Sequence, residues 1–405
     1  MARRVLLVVA AALLLGLWAQ LPASADVAEC AFDEGAAIAT VTPADGSVVI
    51  EVDAGAITVD GLACGPATIT NTDTVDVAAI SGDTVTISLE GGTFSPGATD
   101  EGDGSSEIEF TFPLAYSSEM TILGSAGPDH VTAGLGPTPA EFLARNTADW
   151  PAFNFNADES VPDIDMTIVG TPSFLVDLRA GDDVYSGAGI GSAPPISYPH
   201  IIVFAGGGDD TVSVAGGSHY LGGAGEDILS FAWLPTSCTS QTYTGGGFVR
   251  CPEGDATFVN GRFERFVGHA GQDWLVGDGG DDIIRARGGD DQLWASRSNG
   301  ILDGGPGIDL AIWDETRRVH ADLREGSATL GGGWVQVVEG IEGLYGSRFD
   351  DVLIGDGGAN RLFGSDGDDV LVGKGGIDVI SGGLGTDACD LGLPGTGETI
   401  GTCEE

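Results

Sequence analysis

Gly364-Ser365-Asp366-Gly367-Asp368-Asp369-Val370-Leu371-Val372 and, directly after it, Gly373-Lys374-Gly375-Gly376-Ile377-Asp378-Val379-Ile380-Ser381 are two nonapeptides of one design. Each has glycine at positions one and four, aspartate at position six and an aliphatic residue at position eight. Glycine permits the positive φ of a tight turn, and alternation in an extended segment points residue eight to one side. The pattern predicts a turn followed by a short strand that buries one side chain.

The same nonapeptide recurs in two blocks. Units start at residues 268, 277, 286, 295 and 304, and again at 346, 355, 364, 373 and 382. Two units make one coil of a solenoid, so alternate units stack as parallel strands with position eight inside. This predicts an all-β parallel β-roll. The unit at 295–303 has no acid at position six, and the unit at 346 has Phe349 where glycine is expected.

Position six brings carboxylates together along the roll. At strand spacing of about 4.8 Å, stacked carboxylates repel one another, and a hard cation between coils removes that repulsion. Calcium takes six to eight oxygen ligands in irregular geometry and fits better than magnesium. The sequence therefore predicts several calcium ions, about four to six. The predicted ligands are the position-six residues Asp273, Asp282, Asp291, Asp309, Asp351, Asn360, Asp369, Asp378 and Asp387, and Asp129, Asp210 and Asp227 of more degenerate units.

The repeats resemble a known family. Gly222–Ser230, Gly277–Arg285, Gly364–Val372 and Gly373–Ser381 are similar to the repeats-in-toxin (hemolysin-type) calcium-binding nonapeptide, G-G-x-G-x-D-x-U-x. The resemblance implies a right-handed parallel β-roll with calcium held by position-six acids and turn carbonyls. Residues 319–343, between the blocks, resemble the hairpin that commonly precedes a new block in that family. Many members use an exporter that needs no signal peptide, whereas this chain begins with one.

The remaining sequence divides by composition and pattern. Residues 26–120 have short Val-, Ile- and Thr-rich runs about ten residues apart, typical of a β-solenoid or a sandwich. A short helix is a weak candidate near residues 140–145. The predicted parts are a signal peptide (1–25), an N-terminal β-rich domain (26–120), a degenerate repeat solenoid (121–232), an insertion with a cysteine pair (233–267), calcium block one (268–314), a spacer hairpin (315–345), calcium block two (346–390) and a C-terminal cap (391–405).

The N-terminus and the cysteines indicate export. Arg3 and Arg4 precede an apolar run, and Ala23-Ser24-Ala25 fits a signal cleavage site. The apolar run is short for a membrane anchor, so no membrane insertion is expected after cleavage. An exported chain favours disulfides, and sequence proximity predicts Cys30–Cys64, Cys238–Cys251 and Cys389–Cys403.

Composition limits the partners. The chain has 61 acidic and 16 basic residues and a net charge of −45, which disfavours nucleic acid and anionic membranes. Neither a zinc-protease His-Glu-x-x-His nor a Gly-x-Ser-x-Gly nucleophile motif occurs. The histidines are scattered, and His130 and His269, at variable repeat positions, are expected to be solvated.

The sequence therefore favours a secreted, non-enzymatic, structural or surface-binding protein that folds on binding calcium. The alternative is an adhesin or polysaccharide-active enzyme, with a cell-surface or extracellular polysaccharide as partner and its active part in residues 26–230.

Overall fold

The computed structural model describes residues 28–44, 46–79, 82–92, 94, 108–112, 119–136, 150–154, 166–167, 173–187, 201–214, 218–234, 236–243, 246–251, 254–261, 263–277, 279–313, 317–392 and 399–403. The predicted signal peptide and the helix candidate near 140–145 lie outside these residues. Strands and turns make up the described part, which contains no helix able to cross a membrane.

The N-terminal part of the described chain forms nine strands, most of which bury alternate residues. They are β1 (Glu29–Asp33), β2 (Ile38–Thr42), β3 (Ser47–Asp53), β4 (Ala56–Val59), β5 (Leu62–Thr68), β6 (Thr74–Val77), β7 (Thr84–Ser88), β8 (Glu109–Thr111) and β9 (Glu119–Leu123).

The middle part of the described chain continues with strands of 2 to 8 residues. They are β10 (His130–Gly136), β11 (Trp150–Asn154), β12 (Met166–Thr167), β13 (Ser173–Asp177), β14 (Val184–Ser186), β15 (Ile201–Gly207), β16 (Thr211–Ser213), β17 (Ser218–Ala224), β18 (Ile228–Ser230), β19 (Thr239–Tyr243), β20 (Gly246–Cys251), β21 (Gly254–Gly261) and β22 (Arg265–Val267).

The C-terminal part contains the regular nonapeptides. Its strands are β23 (Gln272–Val276), β24 (Ile283–Arg285), β25 (Gln292–Trp294), β26 (Gly300–Asp303), β27 (Leu310–Ile312), β28 (Val319–Asp322), β29 (Ser327–Leu330), β30 (Trp334–Glu339), β31 (Gly343–Tyr345), β32 (Val352–Ile354), β33 (Arg361–Asp366), β34 (Val370–Val372), β35 (Val379–Leu384), β36 (Ala388–Asp390) and β37 (Thr399–Ile400).

Successive strands alternate between two sheets, which confirms the all-β parallel roll. The front sheet runs through β2, β6 and β8 and on through β14, β16, β18, β22, β24 and β26 to β32, β34 and β36. The back sheet runs through β3, β7, β9, β13, β15 and β17 and on through β23, β25, β27, β31, β33 and β35. Parallel stacking already begins in residues 28–123, where it favours the solenoid reading over a sandwich of antiparallel strands.

The coil length follows the nonapeptide frame. Hydrogen bonds from the backbone N–H of one position-six residue to the side chain of the stacked one, such as Asp351 to Asp369, span 18 residues. Position eight lies inside, as predicted. Leu293, Leu362 and Leu371 are fully buried, whereas Cys389 at the last position eight is half-buried. One apolar side chain per unit thus builds a continuous core column.

Three antiparallel insertions interrupt the stack without ending it. They consist of β10–β11–β12, β19–β20–β21 and β28–β29–β30. Each has three strands, so its outer two strands run in the same direction and both join the parallel stack. The last of these places a hairpin, β28–β29, within the predicted spacer.

Disulfides join neighbouring elements near both ends of the stack. Cys30 pairs with Cys64, with Cα atoms 5.1 Å apart, and Cys389 pairs with Cys403, with Cα atoms 6.0 Å apart. Both pairings confirm the prediction. The side chain of Cys251 lies outside the described residues, so its pairing with Cys238 stays a prediction.

Candidate metal centre

Acidic residues at the starts of the strands form two ladders, one at each sheet. Each position of a ladder is termed a rung. The rung residue lies where a turn ends and a strand begins, and its side chain points back toward the turn. The front ladder contains Asp129, Asp183, Asp210, Asp227, Glu264, Asp282, Asp351, Asp369 and Asp387, and the back ladder contains Asp273, Asp291, Asp309, Glu342, Asn360 and Asp378.

Hydrogen bonds tie the first five rungs of the front ladder together. The backbone N–H of Asp129 donates to Asp183 Oδ1 at 2.7 Å, that of Asp183 to Asp210 Oδ1 at 2.8 Å, and that of Asp210 to Asp227 Oδ1 at 3.0 Å. The Asp227 N–H then donates to Glu264 Oε2 at 3.0 Å. The rungs are therefore in register, as the ligands of a row of cations would need to be.

The same bond recurs in the regular blocks. In the back ladder, the N–H groups of Asp273 and Asp291 each donate at 2.8 Å, to Asp291 Oδ1 and Asp309 Oδ1 respectively. In the second block, Asp351 donates to Asp369 Oδ1 at 2.8 Å and Asp369 to Asp387 Oδ1 at 3.0 Å. Asn360 likewise donates to Asp378 Oδ1 at 2.9 Å.

Six ladder aspartates keep a second oxygen that no hydrogen-bond donor reaches. Their Oδ1 accepts the N–H of the preceding coil, while Oδ2 is buried and has no protein partner. A buried, uncompensated carboxylate oxygen is costly, so it marks a place where a cation fits. The six are Asp183, Asp210, Asp227, Asp291, Asp309 and Asp369.

Burial and mutual repulsion act on the same carboxyl groups. Burial, with the charges of neighbouring acids, raises the pKa of Asp183 and of Asp291 to about 7. The same causes raise the pKa of Asp227, Asp309 and Asp369 to about 6. These carboxyls therefore resist ionisation, and a positive charge beside them would favour their ionised form.

Backbone carbonyls border the same spaces. A Cβ placed on Gly364 would overlap both Asp369 Oδ2 and the carbonyl oxygen of Gly382 in the next coil. A side chain there would fill the space between the two oxygens. Across the described residues, no three His, Cys, Asp or Glu side chains converge on one point. A cation between coils must therefore take carbonyl oxygens in addition to carboxylates, a mixed oxygen set that suits calcium.

The carboxylates of Asp129 and Asp351 accept hydrogen bonds from the turns directly before them. Ser125 donates through its backbone N–H to Asp129 Oδ2 at 2.6 Å and through its hydroxyl to Asp129 Oδ1 at 3.1 Å. Ser347 does the same for Asp351, at 2.5 Å from its N–H to Oδ2. Both serines occupy position two of their unit. These two predicted ligands thus already have donors on both carboxylate oxygens.

His269 occupies position two of the unit that contains Asp273, and it is fully buried. The expectation that it is solvated is wrong. Its Nδ1 lies 2.7 Å from Asp273 Oδ1 and its Nε2 lies 3.0 Å from the Cys238 carbonyl oxygen, while Ser240 donates its hydroxyl to Asp273. Burial acts to lower the pKa of His269, but the bond to Asp273 and its charge raise it overall. The histidine supplies Asp273 with a hydrogen-bond partner from within the protein.

In the unit that lacks an acid at position six, a neighbouring side chain fills the turn instead. Gln336, from β30, donates its Nε2–H groups to the carbonyl oxygens of Ser296 at 3.0 Å and Ser298 at 3.1 Å. Its Oε1 accepts the indole N–H of buried Trp313 at 2.7 Å. An amide therefore satisfies turn carbonyls in the unit at 295–303, where aspartate is missing.

Three rungs are absent from the sequence-predicted set. Asp183 is almost fully buried, although Gly181-Asp182-Asp183 alone reads equally well as a solvated turn. Glu264 and Glu342 accept from Asp227 and Asp309 in place of aspartate. Each glutamate precedes a strand with a buried middle residue, Phe266 or Leu344, and that acid-x-apolar order is the signal that identifies them.

Comparison with known families agrees with this geometry. The RTX calcium-binding nonapeptide repeat family model matches residues 260–293, 267–302, 277–311, 339–371 and 363–393. No curated protein matches the chain. The matched segments contain the rungs from Glu264 to Asp387, and the earlier rungs lie outside them. Residues 260–311 and 339–393 therefore match RTX repeats, a class of repeat that forms calcium-binding β-rolls.

Proposed function

We propose that this chain is a secreted, non-enzymatic protein that acts outside the cell as a calcium-dependent structural or surface-binding element. The observation that carries the proposal is the set of six buried carboxylate oxygens without a protein partner, stacked between coils. Roughly four to six calcium ions would occupy these spaces.

Calcium supplies the positive charge that the stacked carboxylates lack. The protein shapes and holds each binding space. Glycine turns leave room beside each carboxylate, backbone N–H groups hold Oδ1, and burial keeps water from Oδ2. Without the cation, raised carboxyl pKa values oppose the folded state at neutral pH, so binding and folding are coupled.

Export fits this coupling. Extracellular calcium modules have dissociation constants of about 10⁻⁴–10⁻³ M, so they bind calcium far more weakly than cytosolic calcium sensors do. A roll with such sites would stay unfolded before secretion and fold afterwards. The predicted N-terminal signal peptide and a net charge of −45, which disfavours nucleic acid and anionic membranes, support the same location.

The test is a calcium titration of the chain from residue 26, freed of metal on a chelating resin. We expect far-ultraviolet circular dichroism to gain β signal and calorimetry to report several ions, with magnesium giving a much smaller change. Full β structure in chelator together with no heat on adding calcium would refute the proposal.

A further inference from the structure

The outward face of the back sheet carries a row of large side chains at one register. Trp294 of β25 pairs with Ile312 of β27, which pairs with Tyr345 of β31 and then with Phe363 of β33. Tyr345 and Phe363 are half-buried and lie outside the roll, with ring centroids 6.0 Å apart and planes at 36°. The neighbouring strands β31 and β33 therefore present two aromatic rings side by side, next to a space that the described residues leave open.

A groove of about 350 Å³ lies against these two rings. Its other walls are mostly polar, and include Ser365, Asp366, Ser381 and Thr402. Small-molecule sites have volumes of about 300–1,000 Å³ and combine apolar surfaces with a few polar groups. The groove has the size and the mixed lining of a ligand site.

The polar wall is held in place. Ser381 Oγ and Thr402 Oγ1 lie 3.0 Å apart, and the Gly383 N–H donates to Thr402 Oγ1 at 2.9 Å. Thr402 also precedes Cys403, which is bonded to Cys389. A disulfide and two hydrogen bonds thus fix the hydroxyl groups relative to the aromatic pair, which lowers the cost of ordering on binding.

The lining chemistry identifies the ligand class. Aromatic faces carry negative charge and attract weakly polarised C–H groups, while hydroxyl and carboxylate oxygens accept hydrogen bonds from ligand hydroxyls. A sugar ring presents both kinds of group. None of the described lining residues is Lys, Arg or His, and the chain is strongly acidic, so an anionic sugar would be repelled.

An extended peptide fits less well, because it would bind by adding a strand to a sheet edge. Next to the groove that edge belongs to β35, which is already paired with β37. We propose that the groove bounded by Tyr345, Phe363 and Thr402 binds a neutral saccharide. This deepens the proposed function, on which it rests, by naming the ligand class and the place where it binds.

The test uses the calcium-loaded chain and calorimetry with cellohexaose, maltohexaose, chitohexaose and xylohexaose, with hexagalacturonate as the acidic comparison. We expect at least one neutral oligosaccharide to bind and the acidic one not to. The double variant Tyr345→Ala, Phe363→Ala should weaken that binding at least tenfold. Phe349→Ala, which removes an exposed ring outside the groove, is the matched control and should bind as the parent does.

A calcium titration of each variant separates the two proposals. If calcium binding and β structure are intact but no neutral oligosaccharide binds, or the double variant binds equally well, the groove proposal is overturned alone. If calcium has no effect on structure, the proposed function fails, whatever the sugars do.

Discussion

At the level of single residues, the ladder aspartates differ in what their second carboxylate oxygen meets. Asp129 and Asp351 meet serine donors, and Asp273 is paired with His269. Asp291 and Asp369 have a buried oxygen without a protein partner. The second group is where calcium has most to gain, so equal-looking repeat positions should contribute unequally to calcium binding.

Asp369→Asn removes one carboxylate charge from a rung with an unpartnered oxygen. We expect calcium affinity to fall by roughly tenfold or more, because calcium affinity depends on ligand charge. Calorimetric titration of the full chain measures the change. Asp368→Asn makes the same chemical change at the exposed neighbouring residue and should leave affinity near the parental value. Equal loss in both variants would show that overall charge, rather than the ladder, sets the affinity.

Protons should partly replace calcium. The folded-state pKa of Asp183 and Asp291 is about 7 and that of Asp309 about 6, above an unfolded value near 3.9. Their contribution to stability is therefore full below about pH 4 and is lost as pH rises through 6 to 7. Metal-free protein should gain β signal as pH falls from 7.5 to 5. In saturating calcium the trend should reverse, because protonation removes the ligands. A loss of β signal on acidifying the metal-free protein would contradict this prediction.

Gln336→Leu tests whether the Gln336 amide stabilises the turn of the unit at 295–303. The variant leaves the carbonyls of Ser296 and Ser298 and the Trp313 indole N–H without their amide partner. Each buried unsatisfied group costs about 1–3 kcal/mol, so denaturant unfolding in saturating calcium should show a lower free energy of unfolding. The number of bound calcium ions should not change. Val335→Ala, at the exposed neighbouring residue, is the control. A variant that loses an ion would show that this turn is itself a calcium site.

At the level of elements, the turn glycines govern how closely coils approach. Gly376 has a φ of +112°, and a Cβ there would overlap the Gly358 carbonyl oxygen of the preceding coil. Gly375, one residue earlier, has nothing within 4 Å of its Cβ position. The dipeptide therefore combines a position that requires glycine with one that tolerates a side chain.

Gly376→Ala should lower the free energy of unfolding in calcium by about 1–3 kcal/mol and weaken calcium binding, because the two coils must separate. Gly375→Ala should behave like the parent protein. Thermal melts and calcium titrations of both variants provide the measurement. Similar stability in the two would mean that coil spacing is not limited by this contact.

The elements also show how far sequence reasoning reaches. The nine-residue frame predicts the 18-residue coil, the inward Leu371 and the stacked aspartates, because each depends only on local periodicity. The buried contacts of His269 are made with the segment that leads into β19, and Gln336, which bonds to Ser296, lies in β30. Both segments belong to insertions that carry no repeat. Such contacts are set by tertiary packing, so no local pattern contains them.

At the level of the whole molecule, the stack has two kinds of coil. Among the described side chains of residues 28–123, no Asp or Glu is buried, and Val41, Ile50 and Ile87 fill the interior. Buried acids begin with Asp183 and continue to Asp387. The first coils therefore depend on apolar burial, whereas the later ones depend on compensated charge.

Hydrogen exchange should reveal this division. Removing calcium from the full chain should speed exchange greatly in strands between residues 264 and 390 and little in residues 38–88, where no ladder exists. Mass spectrometry of peptides from both regions, with and without chelator, measures the difference. Uniform loss of protection along the chain would mean that the whole stack unfolds as one unit.

A stack of parallel strands would ordinarily present an open edge at each end. In this protein β1 lies antiparallel on β2 at one end and is joined to β5 through Cys30–Cys64, while β37 covers β35 next to Cys389–Cys403 at the other. Free backbone donors and acceptors at such edges are templates for fibre growth between molecules. A disulfide near each end of the described stack therefore holds a strand across part of that edge, and we expect this to disfavour edge-to-edge pairing between molecules.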